Sequence, residues 1–482
     1  MRLSKLLADI DAKFKDCDIN NVVTDSRLVR PGDLFVCLSG INYDGHDFID
    51  EAQEKGAATI VGEHGNVIKV ENSRKALSKI AANFYSNPRD KFKLIGVTGT
   101  NGKTTTTYII KNILESAGKK VGLIGTLGTY ITDKHIDSKL TTPDPMELQS
   151  LFNQMTKAKV DYVVMEVSAH AIALHKLWGI DFDMGILTNI TQDHLDFFST
   201  MENYEKTKKS FINNCCKIGL VNSDDKCGRE IIINRETNTS THIKSFGIVN
   251  PADNFVTNIH YLPSGTNYFL NIEDNLFCVN TLLCGEFNVY NALCAGAACF
   301  YLGIDIESIK EGVNMTNPVK GRFNVVRLKN GASVVIDYAH TPDGLSSILR
   351  CVRKLTQGKL FCVFGCGGNR DKSKRPIMGE LATDLADFVV ITSDNPRYEN
   401  PDEIISDITV RIKKSNYTCI TDRILAIKYV MGKLNKNDAV VLAGKGAEDY
   451  IEVRWEKIPY SDYETVKLIA QKLFDEANSC MT

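Results

Sequence analysis

The sequence predicts an α/β protein of three domains: a small N-terminal α/β unit, a central P-loop-like parallel-sheet unit and a C-terminal Rossmann-like unit. Three observations lead there. Short apolar runs alternate with helical patterns along most of the chain, as in strands joined by crossover helices. A glycine-rich turn, Gly99-Thr100-Asn101-Gly102-Lys103-Thr104-Thr105, lies between one such run and one such helix. The pattern is interrupted at Asn87-Pro88 and again at Asn317-Pro318, and proline pushes the residue before it out of helix. For a chain of 482 residues the expected units are therefore 1–88, 89–317 and 318–482.

Each unit has its own elements. The first carries a polar turn, Thr24-Asp25-Ser26-Arg27, then Pro31-Gly32-Asp33 and the strand-like Leu34-Phe35-Val36-Cys37-Leu38. The second opens on the run Leu94-Ile95-Gly96-Val97, the glycine turn and a helical pattern from Thr105 to Ala117. Its further strand candidates are Val121–Ile124, Tyr162–Met165 and Met184–Leu187, which argue for a largely parallel sheet. In the third, the runs Val334–Ile336, Leu360–Phe364, Phe388–Ile391 and Ala439–Leu442 each end in a polar or glycine-rich loop. Ligands of open α/β sheets sit at such carboxyl ends. Asp337, Gly365-Cys366-Gly367-Gly368, Ser393-Asp394-Asn395 and Gly444-Lys445-Gly446 should therefore share one rim.

Composition bounds the function. With 43% hydrophobic and 24% charged residues the chain reads as a soluble globular protein. A net charge of −2 argues against a nucleic-acid partner and against binding to a membrane surface. The first apolar run is cut short by Asp9 and Asp11, unlike a signal peptide, and no apolar stretch reaches the roughly 18 residues of a membrane span. The fourteen cysteines are scattered, without a Cys-x-x-Cys pair, and read as reduced thiols of a cytoplasmic protein.

The glycine turn carries the first chemistry. In such a turn loop N–H groups and a helix N-terminus face an anion, Lys103 would supply a point charge, and the Thr104 hydroxyl can ligate Mg²⁺. The usual six-residue glycine spacing would need glycine at position 97, where Val97 stands; the shorter Gly-x-x-Gly-Lys-Thr remains. The turn points to a nucleoside triphosphate. Glu166 closes the run before it, where the Mg²⁺-side carboxylate of a phosphate-loop domain lies, and His194 follows another strand.

Taken in order, Gly99–Thr105, Met165-Glu166-Val167-Ser168-Ala169-His170, Thr188-Asn189-Ile190, Asp193-His194-Leu195-Asp196, Gly285-Glu286-Phe287-Asn288 with Asn291, Gly321-Arg322 and Asp337-Tyr338-Ala339-His340-Thr341-Pro342 resemble the Mur ligases. These are ATP-dependent amino-acid ligases of peptidoglycan precursor synthesis, and the resemblance runs through all three units. It is nearest to the members that add the third residue to UDP-N-acetylmuramoyl-L-alanyl-D-glutamate. It implies that ATP, with Mg²⁺, phosphorylates the D-glutamyl carboxylate and that an amine then displaces the phosphate. It further implies ATP contacts from Gly99, Thr100, Asn101, Gly102, Lys103, Thr104, Thr105, Asn288 (adenine) and Asp337 (ribose). Lys103, Glu166, His194, Lys208 and Arg322 would be catalytic. Thr104, Glu166, His194 and Lys208, the last as a carbamate, would serve metal. Thr24, Ser26, Thr141, Thr142, Ser168 and Lys176 would hold the UDP-muramoyl-dipeptide, the first unit taking the UDP sugar.

The resemblance also speaks to the incoming amine. Asp394-Asn395-Pro396-Arg397 is similar to the signature of the meso-diaminopimelate-adding members, with Arg370, Gly444 and Glu448 as further contacts. A guanidinium offers a flat fork to the second carboxylate of diaminopimelate, which lysine lacks. Stranding it beside lysine would cost roughly 3–5 kcal/mol. Ala447 stands where many members carry histidine. The expected protein is a monomer. Two alternatives remain: the same ligase using L-lysine or another diamine, and a non-catalytic nucleotide-binding regulator on this fold.

Overall fold

The computed structural model describes residues 1–40, 43–235, 241–262, 264–454 and 456–479. Its strands fall into three main sheets. The first is four-stranded and parallel, in chain order: Val22–Val23, Leu34–Val36, Thr59–Gly62 and Ile68–Lys69. Helix Ser73–Phe84 covers it with Ala76, Leu77 and Ile80, spaced for one apolar face.

The central sheet has eleven described strands. Lys93–Thr98 lies in its middle, between Tyr162–Glu166 and Phe182–Leu187, all parallel. Such strands are buried on both faces, which is why their apolar runs were continuous rather than alternating. The sheet is largely parallel, as expected, with antiparallel strands added at both flanks. Gly128–Ile131 and Lys134–Ile136 add an antiparallel edge on one side. Asn254–Leu262, Gly265–Ile272 and Asn275–Thr281 form an antiparallel meander on the other. Helix Lys103–Ser116 buries Ile109, Ile110, Ile113 and Leu114 against the sheet and against helix Glu286–Tyr301.

The third sheet orders Asn324–Arg327, Ser333–Asp337, Ala439–Ala443, Leu360–Phe364, Phe388–Ile391 and Tyr417–Cys419, parallel except for its first strand. The loops after Asp337, Phe364, Ile391 and Ala443 consequently share one rim. A fully buried pair ties the last helix to this unit: Arg423 donates to both carboxylate oxygens of Asp462 at 2.8 Å. Asp462→Ala leaves that guanidinium stranded and should cost about 3 kcal/mol or more, read as a lower denaturant midpoint at unchanged slope.

Every described cysteine is a free thiol. Among the described residues no helix is long and apolar enough to cross a membrane.

Candidate active site

The glycine turn opens where strand Lys93–Thr98 gives way to helix Lys103–Ser116. Its two glycines are needed for shape. Gly99 has φ +146°, and a Cβ there would lie 1.9 Å from Thr188 Oγ1; Gly102 has φ +87°, and a Cβ there would meet Asn291 Oδ1 at 2.5 Å. Lys103 Nζ curls back to donate to Gly99 O and Thr100 O, each at 2.9 Å. Burial lowers its pKa, with Glu166 opposing.

The turn floors a cavity of about 890 Å³ whose wall includes Glu166, His194, Lys208, Arg322 and Asp337. Glu166 is buried at the end of its strand. Its carboxylate accepts from Thr104 Oγ1 at 3.0 Å, Thr126 N at 2.9 Å and Thr126 Oγ1 at 3.1 Å. Arg322 Nη2, from the third unit, donates to the same Thr104 hydroxyl at 3.2 Å. Its guanidinium stacks 4.3 Å from the Tyr338 ring.

His194 sits at φ +57°, at the N-cap of helix Leu195–Phe198. Burial pushes its pKa down to about 3 against the pull of Asp193, so the imidazole is neutral at pH 7 and has a lone pair to offer. Lys208 is buried too, and its Nζ makes no hydrogen bond or ion pair among the described residues; it lies 4.7 Å from the Tyr204 ring centroid. Burial, reinforced by Lys103, drives its pKa far below the ordinary lysine value. Thr104, Glu166 and neutral His194 are donors of the kind that hold a divalent cation, and the two oxygen donors suit Mg²⁺.

Asp193 is a group that sequence reasoning passed over. It is buried, and its carboxylate meets His194 Nε2 at 3.3 Å, His340 Nε2 at 3.5 Å and Lys374 Nζ at 3.5 Å. Burial alone would raise its pKa; His340, Lys374 and His194 together hold it well below the usual range. His340 and Lys374 belong to the third unit, so this carboxylate joins the two sheets. Asn101 Nδ2 to Asp343 (3.0 Å), and Gln192 Nε2 to Asp371 (3.1 Å) and Ser373 (2.9 Å), reinforce the junction. The signal available was the Asp-His pair itself, in Asp193-His194-Leu195-Asp196.

Other predicted residues fall in different places. Gly99 to Thr105, Thr141 and Ser168 line the cavity. Thr142 lies just behind, its hydroxyl donating to Glu166 O at 2.9 Å. Asp337, raised in pKa by burial, accepts from Phe323 N and Ala339 N at 2.8 Å. Asn288 is buried outside the described cavity wall, donating to Cys284 O at 2.8 Å, while its neighbours Phe287 and Asn291 line it. Ser26 lies in the first unit, its hydroxyl 2.7 Å from Glu51, with Thr24 beside it. Lys176 pairs with Asp144 at 2.7 Å.

Arg370, Asp394, Asn395, Pro396, Arg397, Gly444 and Glu448 gather separately on the rim of the third sheet. Lys445 Nζ is buried there among Asn395 Oδ1 (2.6 Å), Glu448 Oε2 (2.9 Å) and Tyr450 O (2.6 Å). Arg397 already has a carboxylate, which corrects the picture of a guanidinium lacking one without ligand: its Nε donates to Glu452 Oε2 at 2.9 Å. Arg370 Nη1 donates to its neighbour's carbonyl, Asn369 O, at 3.3 Å.

Known proteins fit this arrangement. Three family models match in order: "Mur ligase family, catalytic domain" over residues 18–85, "Mur ligase middle domain" over 97–299 and "Mur ligase, glutamate ligase domain" over 321–446. A UDP-N-acetylmuramoyl-L-alanyl-D-glutamate–2,6-diaminopimelate ligase of Clostridium acetobutylicum is 46% identical, covering 98% of this chain and 100% of its own. A ligase of the same name from Bacillus licheniformis is 41% identical, over 97% and 99%. A solved structure bearing that name superposes with a TM-score of 0.69 at 29% identity, covering 98% and 99% of the two chains. A folylpolyglutamate synthase of Mycobacterium tuberculosis shares the fold alone, with a TM-score of 0.65 at 16% identity over 77% of this chain and 92% of its own. With matched models falling on all three sheets and relatives above 40% identity along nearly the whole chain, this protein belongs to the Mur ligase family.

Proposed function

We infer that the protein is an ATP-dependent ligase that joins meso-diaminopimelate to the D-glutamyl residue of UDP-N-acetylmuramoyl-L-alanyl-D-glutamate through an acyl phosphate. The observation that carries the reading is the convergence of Lys103, Glu166, His194, Lys208 and Arg322 on one cavity, in a chain whose full-length relatives bear that ligase name. The reading has the enzyme act as a monomer in the cytoplasm.

A carboxylate is a poor electrophile, and phosphorylation gives it a leaving group. The carboxylate oxygen attacks the γ-phosphorus, ADP departs, the amine nitrogen adds to the acyl carbon, and phosphate leaves with the amide formed. The protein's task is to bring two anions together. The Gly99–Thr105 amides cradle the phosphates, and Lys103 turns from Gly99 O and Thr100 O toward them. Arg322, beside Thr104, faces the transferring phosphoryl group. Thr104, Glu166, His194 and carbamylated Lys208 would hold Mg²⁺, which supplies positive charge between the anions. A neutral lysine amine is the form that adds CO₂, and burial, with Lys103 nearby, shifts Lys208 toward that form. Asp337 accepts from the ribose, and Asn288 keeps the adenine wall in place through the helix that carries Phe287 and Asn291. Thr24 and Ser26 take the UDP sugar; Thr141, Thr142, Ser168 and Lys176 take the muramoyl-dipeptide. Arg397, Arg370, Asp394, Asn395, Pro396, Gly444 and Glu448 form the pocket for the amino acid.

Phosphate release with UDP-muramoyl-dipeptide, ATP and each diamine tests the reading. Release that depends on diaminopimelate is expected. Equal release with L-lysine would overturn the amino-acid assignment, and none with any amine would return the protein to a nucleotide-binding regulator.

A further inference from the structure

The pairing of Arg397 with Glu452 is built, not incidental. Arg397 holds φ +52°, a left-handed conformation that costs a non-glycine residue. Strand Tyr450–Val453 keeps it there: Arg397 N donates to Glu452 O at 3.0 Å, and Arg454 N donates to Arg397 O at 2.8 Å. The same strand delivers the Glu452 side chain to Arg397 Nε, while Arg397 Nη1 donates to Gly368 O at 2.9 Å. Both side chains are only 12% exposed, so the two charges interact with little screening by water.

The pairing changes the charge that an incoming amino acid meets. Lys445 offsets Glu448 at 2.9 Å and faces Asp394 at 3.7 Å. Glu452 offsets Arg397. The distal end of meso-diaminopimelate carries one carboxylate and one ammonium and is neutral; that of L-lysine carries an ammonium alone. An unpaired Arg397 would attract the first and repel the second. A guanidinium that already has a carboxylate does less of both.

We propose that Glu452 is a specificity-determining residue, one that narrows the preference of this pocket for a zwitterionic distal end over a purely cationic one. The proposal rests on the assignment of this rim to the incoming amino acid.

The test is kcat/KM for both diamines in the parent enzyme, Glu452→Gln and Glu452→Leu. Glutamine keeps an oxygen acceptor for Arg397 Nε and removes the charge; leucine removes both, by a second route to the same charge change. The diaminopimelate-to-lysine ratio should rise about tenfold in each, chiefly through weaker use of lysine. A ratio that is unchanged or lower in Glu452→Gln overturns the proposal. So does a silent Glu452→Gln beside a Glu452→Leu that loses diaminopimelate, because that pattern marks a residue which only orients Arg397. A parent enzyme that turns over neither diamine overturns the underlying assignment instead, and the proposal falls with it.

Discussion

Lys208→Ala is expected to lower ligase turnover by about 10³-fold or more, and added formate or acetate to restore part of it. The buried amine has no acid partner among the described residues, and burial with Lys103 nearby disfavours its charged form. A neutral amine reacts with CO₂, and the carbamate so formed is an anion whose oxygens suit Mg²⁺. Alanine removes the anion and leaves a space beside Tyr204, which a short carboxylate can enter. Phosphate release against carboxylate concentration reads the effect. Full activity in Lys208→Ala, or loss that no carboxylate relieves, would remove Lys208 from the metal site.

Asp193→Ala should cost about 10²- to 10³-fold in kcat/KM. Its carboxylate meets His194, His340 and Lys374 at 3.3 to 3.5 Å, and the last two come from the other side of the junction between sheets. Removing it strands the buried Lys374 and releases His194 from its only carboxylate neighbour among the described residues. Losing one partner of a buried charge cluster costs about 3–5 kcal/mol, and the stated loss corresponds to about 2.8–4.2 kcal/mol, at about 1.4 kcal/mol per tenfold, within or just below that cost. Asp193→Asn should fall between the parent and alanine. Thermal melting of the variants separates weakened docking from general unfolding, and an Asp193→Ala enzyme with parental kcat/KM would show that the cluster serves neither role.

How far the sequence speaks depends on what each feature needs. Strands such as Leu360–Phe364 and Phe388–Ile391 were legible as unbroken apolar runs, because both their faces are covered. The meander from Asn254 to Thr281 was not: it leaves Phe255, Phe269 and Leu276 exposed, and its mixed pattern resembles a loop. The glycine turn was legible because Gly99 and Gly102 answer a steric demand made within a few residues of chain and its neighbours. Asp193 and Glu452 were not, because what distinguishes them lies far along the chain: Lys374 is 181 residues from Asp193, and Arg397 is 55 from Glu452. Only the fold reveals that a lysine and an arginine bring counter-charges with them.

The inward curl of Lys103 has a bearing on the catalytic cycle. Its ammonium is held by Gly99 O and Thr100 O, so the turn provides carbonyl partners for its own lysine. Taking up ATP exchanges two bonds to carbonyls for bonds to phosphate, so affinity reflects only the difference. Departure of ADP reverses the exchange and leaves no bare cation in the cavity. The turn thus limits how tightly product can be retained, a property that favours repeated turnover over tight storage of nucleotide.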